Sequence, residues 1–179
     1  MGCELCRAPL PITDEQRERI NAIIDFWYPP GHDRDLAPTQ DMLAFWFGFK
    51  MTPEEQAELD KEILEKFEKD YDNYLARQYT GWPHDRDGRL AAILLLDQFP
   101  RSMFRATAKA FATDDEAARL SYKIYKNKEM WDEYKLEERH FLLLPLMHAE
   151  NRSYGQTMVQ AFLEMDRELA EKDSDRYNN

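Results

Sequence analysis

Apolar residues recur along most of this chain at the three- and four-residue spacing of a helix face, and no segment alternates with period two. The first helix opens at Thr13, with Gln16 three residues on as in a capping box, and carries Ile20, Ile23, Ile24 and Trp27 on one side. Pro29-Pro30-Gly31 ends it, and a polar loop follows from His32 to Pro38. Thr39 then caps a short helix with Met42, Leu43, Trp46 and Phe47, stopped by Gly48. Thr52-Pro53-Glu54-Glu55 has the form of a helix start, and the pattern behind it predicts a long helix to about Tyr79 with a densely charged, solvent-facing exterior. Gly81-Trp82-Pro83 reads as a turn before a helix that starts at Asp85 or Asp87.

The stretch Leu90 to Arg105, LAAILLLDQFPRSMFR, begins as the most apolar run of the chain. It predicts a central helix buried on most faces, ended or kinked at Pro100, whose ring clashes with the carbonyl of Leu96. Met103 and Phe104 fall in a short turn after it. Further helices are expected from a capping box at Thr113 to Glu116, from Leu136 to Met147 with a kink at Pro145, and from Ser153 through Leu169. The fold class is therefore all-α, a single-domain antiparallel helical bundle joined by short loops. Residues 1–12 read as a flexible leader, 13–172 as the helical domain and 173–179 as a frayed tail.

Composition narrows the function classes. The chain has 179 residues and a net charge of −11, a field that repels phosphate backbones, so no nucleic-acid partner is expected. Its two cysteines, Cys3 and Cys6, both lie in the leader, so the domain does not rely on disulfides. Met1-Gly2-Cys3 has the start of an N-myristoylation and palmitoylation signal, and membrane contact is expected only if Gly2 or Cys3 is lipidated. With no apolar run near the length of a membrane span and no apolar core in the first 30 residues, no secretory signal is expected and the location reads as cytoplasmic.

The candidate chemistry gathers in the central stretch. Asp97 shares a helix face with Ile93 and Leu94 and so points inward, and Arg101 stands four residues on in the favourable order for a pair. A buried carboxylate needs a charge-assisted partner, which Arg101 or Arg105 can supply. One reading makes this a structural anchor. The other leaves one arginine to hold a carboxylate or phosphate, with Gln98 adding hydrogen bonds. His148 follows Pro145 near the end of its helix, and imidazole is a residue type that moves protons near neutral pH. Glu150 lies nearly opposite on an ideal helix and joins His148 only if the helix unwinds after it. No HExxH or paired ExxH spacing, Gly-rich phosphate loop or Gly-x-Ser-x-Gly elbow occurs, so no metal and no cofactor are expected.

Several runs in this order resemble the DUF924 family: Ile24-Asp25-Phe26-Trp27, Trp46-Phe47-Gly48, Leu94 to Arg101 with Arg105, Ala110 to Asp114, and Leu144-Pro145-Leu146-Met147-His148-Ala149-Glu150. The resemblance covers about residues 20 to 170 and implies an all-helical, tetratricopeptide-like fold of unknown function. This chain departs from the usual family pattern at Ser102, where Asn is common, at Ala106, where Gly is common, and at Ala149 and Asn151, where Ser and Asp are common. The functional expectation is a small anionic or polar metabolite, bound and in the stronger form transformed, between the central helix and the LPLMH helix. Arg101 and Arg105 would hold it, Gln98 and Glu150 would add polar contacts, and Trp46 and Phe47 would wall the apolar side. Asp97 and His148 are the catalytic candidates. The alternatives are a helical module that binds a peptide, with the polar cluster purely structural, and a peripheral protein held at a membrane by its lipidated tip.

Overall fold

The structure, a computed structural model, describes residues 11–35 and 38–177. The leader readings at Gly2, Cys3 and Cys6 lie outside the described residues. Every regular element among the described residues is helical. Helix α1 (Asp14–Trp27) is capped by the Thr13 hydroxyl, which accepts from the Gln16 backbone at 3.2 Å, and it buries Ile20, Ile23, Ile24 and Trp27. The capping box is half-formed, because the Gln16 amide donates across the fold to the Gln78 carbonyl at 3.2 Å. Thr39 caps α2 (Gln40–Phe47), and Gly48, at φ 67°, turns the chain into a left-handed conformation suited to glycine.

Helix α3 (Pro53–Leu75) has the full capping box, with Thr52 and Glu55 each accepting from the other's backbone. It stops at Leu75, short of the Tyr79 that the pattern predicts. The cause is tertiary. Tyr79 leaves the helix to stack on Trp82, ring centroids 4.3 Å apart, and its hydroxyl donates to buried Asp70 at 2.9 Å. Gly88 sits against the backbone of Trp82, where an added Cβ would lie 2.6 Å from the Trp82 carbonyl oxygen. A side chain there would force the turn away from helix α4 (Arg86–Ile93).

Asp85 caps α4, accepting from the Gly88 backbone at 2.8 Å, and takes both Arg17 guanidinium nitrogens at 3.0 and 2.7 Å. That guanidinium, with the backbone donors, holds the Asp85 carboxyl below its ordinary 3.8. A depressed carboxyl stabilises the fold above its unfolded value, and the contribution is lost as pH falls through the folded value. Asn keeps the cap but not the charge, so Asp85→Asn should cost about 0.2–1 kcal/mol at neutral pH, the range of a partly exposed ion pair. The gap to wild type in urea-unfolding free energy should close as pH drops below 3.8; a gap unchanged in acid would contradict the linkage.

The central stretch is one continuous path: α4, a π-helical segment Leu94–Gln98, and α5 (Phe99–Met103). Leu90 through Asp97 are fully buried. Pro100 neither ends the helix nor breaks the path, as the sequence alone suggests it would. The π turn widens the helix by one residue just ahead of it, with the Phe99 N–H reaching back to Leu94 O. Proline has no N–H for the Leu96 carbonyl, and the Thr113 hydroxyl donates to that oxygen instead, at 2.6 Å. Thr113 is thereby used up. It does not cap α6 (Asp114–Lys126), so the expected capping box is absent.

A short helix, α7 (Lys128–Asp132), capped by Asn127, precedes α8 (Leu136–His148). Pro145 lies inside α8, and the Ser121 hydroxyl donates to the Leu142 carbonyl one turn earlier. The last helix, α9 (Arg152–Tyr177), is capped by Asn151, whose Oδ1 accepts from the Ser153 and Tyr154 backbones at 2.9 and 3.3 Å. Ser153 is thus inside the helix, and the helix continues past Glu171, where the polar composition suggests fraying. α1, α3, α6 and α8 pack around the central path, and α9 covers α8. Ala106 sits at φ 61°. A Cβ in that region costs about 1–2 kcal/mol. Ala106→Gly is expected to raise stability by about 0.5–1 kcal/mol after the extra freedom of unfolded glycine is counted. A lower melting temperature would contradict this.

Candidate functional site

The π turn places Asp97 and Gln98 side by side at the base of a cavity of about 290 Å³. α2 supplies Trp46 and Phe47, α3 supplies Gln56 and Leu59, α5 supplies Arg101 and Ser102, and the end of α8 supplies Met147 and His148, with Arg105 beside them. Asp97 is 0% exposed and sits beneath this lining. Its Oδ1 meets His148 Nδ1 at 2.8 Å and Arg101 Nη2 at 3.4 Å, and its Oδ2 accepts from Gln98 Nε2. A carboxylate on Nδ1 fixes the ring so that Nε2 is the free nitrogen. His148 Nε2 has no hydrogen-bond partner among the described residues, and His148 lines the cavity.

Neither arginine is free of acids. Arg101 Nη2 also reaches both Asp114 oxygens, at 3.1 and 3.2 Å, while its buried Nε has no partner. Burial pushes the Asp114 carboxyl up, the Asp97 charge adds to this, and Arg101 pulls it back. Arg105 is held by Asp60, through Nε to Oδ2 and through Nη2 to Oδ1 at 2.8 Å. Gln56 Nε2 donates to the same Asp60 oxygen at 3.0 Å. The expectation of one unpaired arginine is thus corrected. Each guanidinium is anchored by an acid through part of its fork, and each keeps Nη1 without a hydrogen bond among the described residues. The pairs leave the cavity close to electrical neutrality, with donors held in fixed positions.

Gln98, Arg101, Arg105, Trp46, Phe47 and His148 therefore meet at one cavity. Glu150 does not. The chain turns extended at Ala149, at ψ 127°, and Glu150 is exposed away from the lining. Trp46 is held by its own hydrogen bond, Nε1 to the Trp27 carbonyl at 2.9 Å, and packs on Phe141 with ring centroids 4.8 Å apart. Asp60 and Asp114 belong to the site through their pairs with Arg105 and Arg101, and the sequence alone does not mark them. Asp60 lies on the charged face of α3 that reads as exterior, and Asp114 reads as an ordinary helix-start acid. Among the described residues, no three His, Cys, Asp or Glu side chains are grouped to hold a metal ion.

The family described as "Bacterial protein of unknown function (DUF924)" matches residues 23–179. The chain belongs to DUF924. No curated protein matches it. Among solved structures it is similar to a protein of unknown function, ATU0120, from Agrobacterium tumefaciens, at 27% identity and a TM-score of 0.61. That match covers 79% of this chain and 70% of the other. Since residues 23–179 contain the π turn, α5 and the end of α8, the DUF924 match takes in every residue of the cavity. No helix among the described residues is long and apolar enough to cross a membrane.

Proposed function

We propose that this DUF924 protein binds a small anionic or polar metabolite in the cavity above Asp97. The observation that carries the reading is the convergence of Arg101, Arg105 and His148 on one concave space, each with a nitrogen left over after its acid is satisfied. The Nη1 groups of the two arginines hold a carboxylate or phosphate oxygen, Gln98 and Ser102 line the polar side, and Trp46 and Phe47 cover the apolar side. The near-neutral balance of arginines and aspartates favours a ligand of low charge. His148 Nε2 is the atom that takes or returns a proton, and Asp97 is the positioning residue that orients the ring.

A second reading, a peptide partner, is favoured by the apolar rim. Phe47 and Met147 of the lining are 45% and 54% exposed, and Phe49, 60% exposed, packs its ring 5.8 Å from that of Phe47. A thermal-shift panel of small carboxylates, inorganic phosphate and phosphate esters, run on wild type and Arg101→Gln, separates the two. A metabolite at 100 times its Kd should stabilise wild type by about 2.7 kcal/mol and should lose that effect in folded Arg101→Gln. A panel without any shift, or a shift that survives in both Arg101→Gln and Arg105→Gln, would overturn the metabolite reading.

A further inference from the structure

Trp46 and Phe47 form part of the wall of a second cavity, of about 250 Å³, on the α8 side of the aromatic cluster. Its other apolar lining comes from Pro38, Leu43, Leu136 and Phe141, and Glu137 and His140 supply the polar end. Glu137 is 5% exposed. Its Oε1 meets His32 Nε2 at 2.9 Å, while its buried Oε2 has no donor among the described residues. Buried carboxylate oxygens without a donor are rare and costly, and such an oxygen marks a place for one.

The nearby cations do not supply it. Arg34 Nη1 donates to Glu138 at 2.7 Å, and Arg86 Nη2 donates to the other Glu138 oxygen. Glu137 is left with His32, and burial pushes its carboxyl up despite that contact. An acid with only one of its two oxygens met, set at one end of an aromatic cavity, is complementary to a cation with an apolar body. The net charge of −11 draws the same kind of ligand toward the molecule.

We propose that this second cavity binds a small organic ammonium, its N–H groups donating to Glu137 and its hydrocarbon lying against Trp46, Phe47 and Phe141. The site is separate in chemistry from the anion site. An ammonium needs the acid at Glu137 and makes no use of Arg101 or His148.

The probe is 2-phenylethylammonium, titrated by calorimetry against the full chain, with 2-phenylethanol as a neutral counterpart of similar shape. The ammonium should bind wild type at least tenfold more tightly than the alcohol. Glu137→Gln should bring the two to the same affinity, and Leu43→Trp, which fills the cavity without touching the acid, should remove both. Arg101→Gln should leave ammonium binding unchanged, which keeps a failure here distinct from a failure of the anion site. Equal affinity of the two probes for wild type would overturn the proposal and leave an apolar hole. Binding that survives Leu43→Trp, or no binding of the ammonium at millimolar concentration, would overturn it as well. If Glu137→Gln does not fold, the wild-type comparison and Leu43→Trp decide the matter.

Discussion

Asp97→Ala is expected to lower the unfolding free energy by about 3–5 kcal/mol, the range found when one member of a buried charge-paired cluster is removed. Asp97 is fully buried and is the common acceptor for His148 Nδ1, Arg101 Nη2 and Gln98 Nε2. Its loss leaves three donors facing a void. Arg101 keeps Asp114, which limits the damage on that side. Gln98, which is 9% exposed and has donated to Asp97, is left with a buried amide that nothing replaces. Asp97→Asn should cost less, because the amide keeps the shape and one acceptor. Urea unfolding of both variants checks this, and a loss under about 1 kcal/mol for Asp97→Ala would mean that the cluster is solvated and not an organised base.

Thr113→Val is expected to cost about 1–3 kcal/mol, the desolvation penalty of a buried carbonyl left without a donor. The size follows from Pro100. Leu96 O has no N–H from position 100, and the Thr113 hydroxyl at 2.6 Å takes that place inside the fully buried path. Valine has nearly the same shape, so little packing is lost and the measurement reports the missing donor. Pro100→Ala restores an N–H at position 100. Combined with Thr113→Val it should recover part of the loss, a coupling that a double-mutant cycle reads directly. Additive losses would show that Thr113 does not act through the Leu96 carbonyl. Because the same π turn sets Asp97 beneath the cavity and Gln98 in its wall, disturbing its cap should also weaken ligand binding at Arg101.

Much of this arrangement is legible in the sequence, for reasons that differ by residue. Helix spacing exposes the inward face of Ile93, Leu94 and Asp97, and Asp97 is indeed buried. The Thr39 and Thr52 caps follow from local hydrogen bonding alone and form as the sequence predicts. The runs that resemble DUF924 contain Gln98, Arg101 and His148, which the fold brings to one cavity. What stays hidden depends on contacts between distant residues. Thr113 looks like a helix cap because nothing local reveals that Leu96, 17 residues earlier, needs its hydroxyl. Asp60 looks like one more surface acid on α3, since its partner Arg105 lies 45 residues away. The π turn is invisible to a period of 3.6 because its wider loop is chosen by Pro100 and by the packing around it. Glu150 can join His148 only if the helix unwinds after it; the helix does end there, but the extended backbone at Ala149 carries Glu150 out to solvent, a direction that local spacing does not reveal.

In the proposed complex the ligand sits on His148 Nε2 between Arg101 and Arg105. The most direct test is a two-dimensional nitrogen–proton spectrum of the histidine side chains, taken before and after addition of the metabolite that gives the largest thermal shift. The chain has four histidines, so His32, His84 and His140 serve as internal controls. Binding is expected to move the Nε2 resonance of His148, while the other three rings stay in place. The change should vanish in Arg101→Gln. A ligand that stabilises the protein without moving the His148 resonance would overturn the proposal and place binding elsewhere.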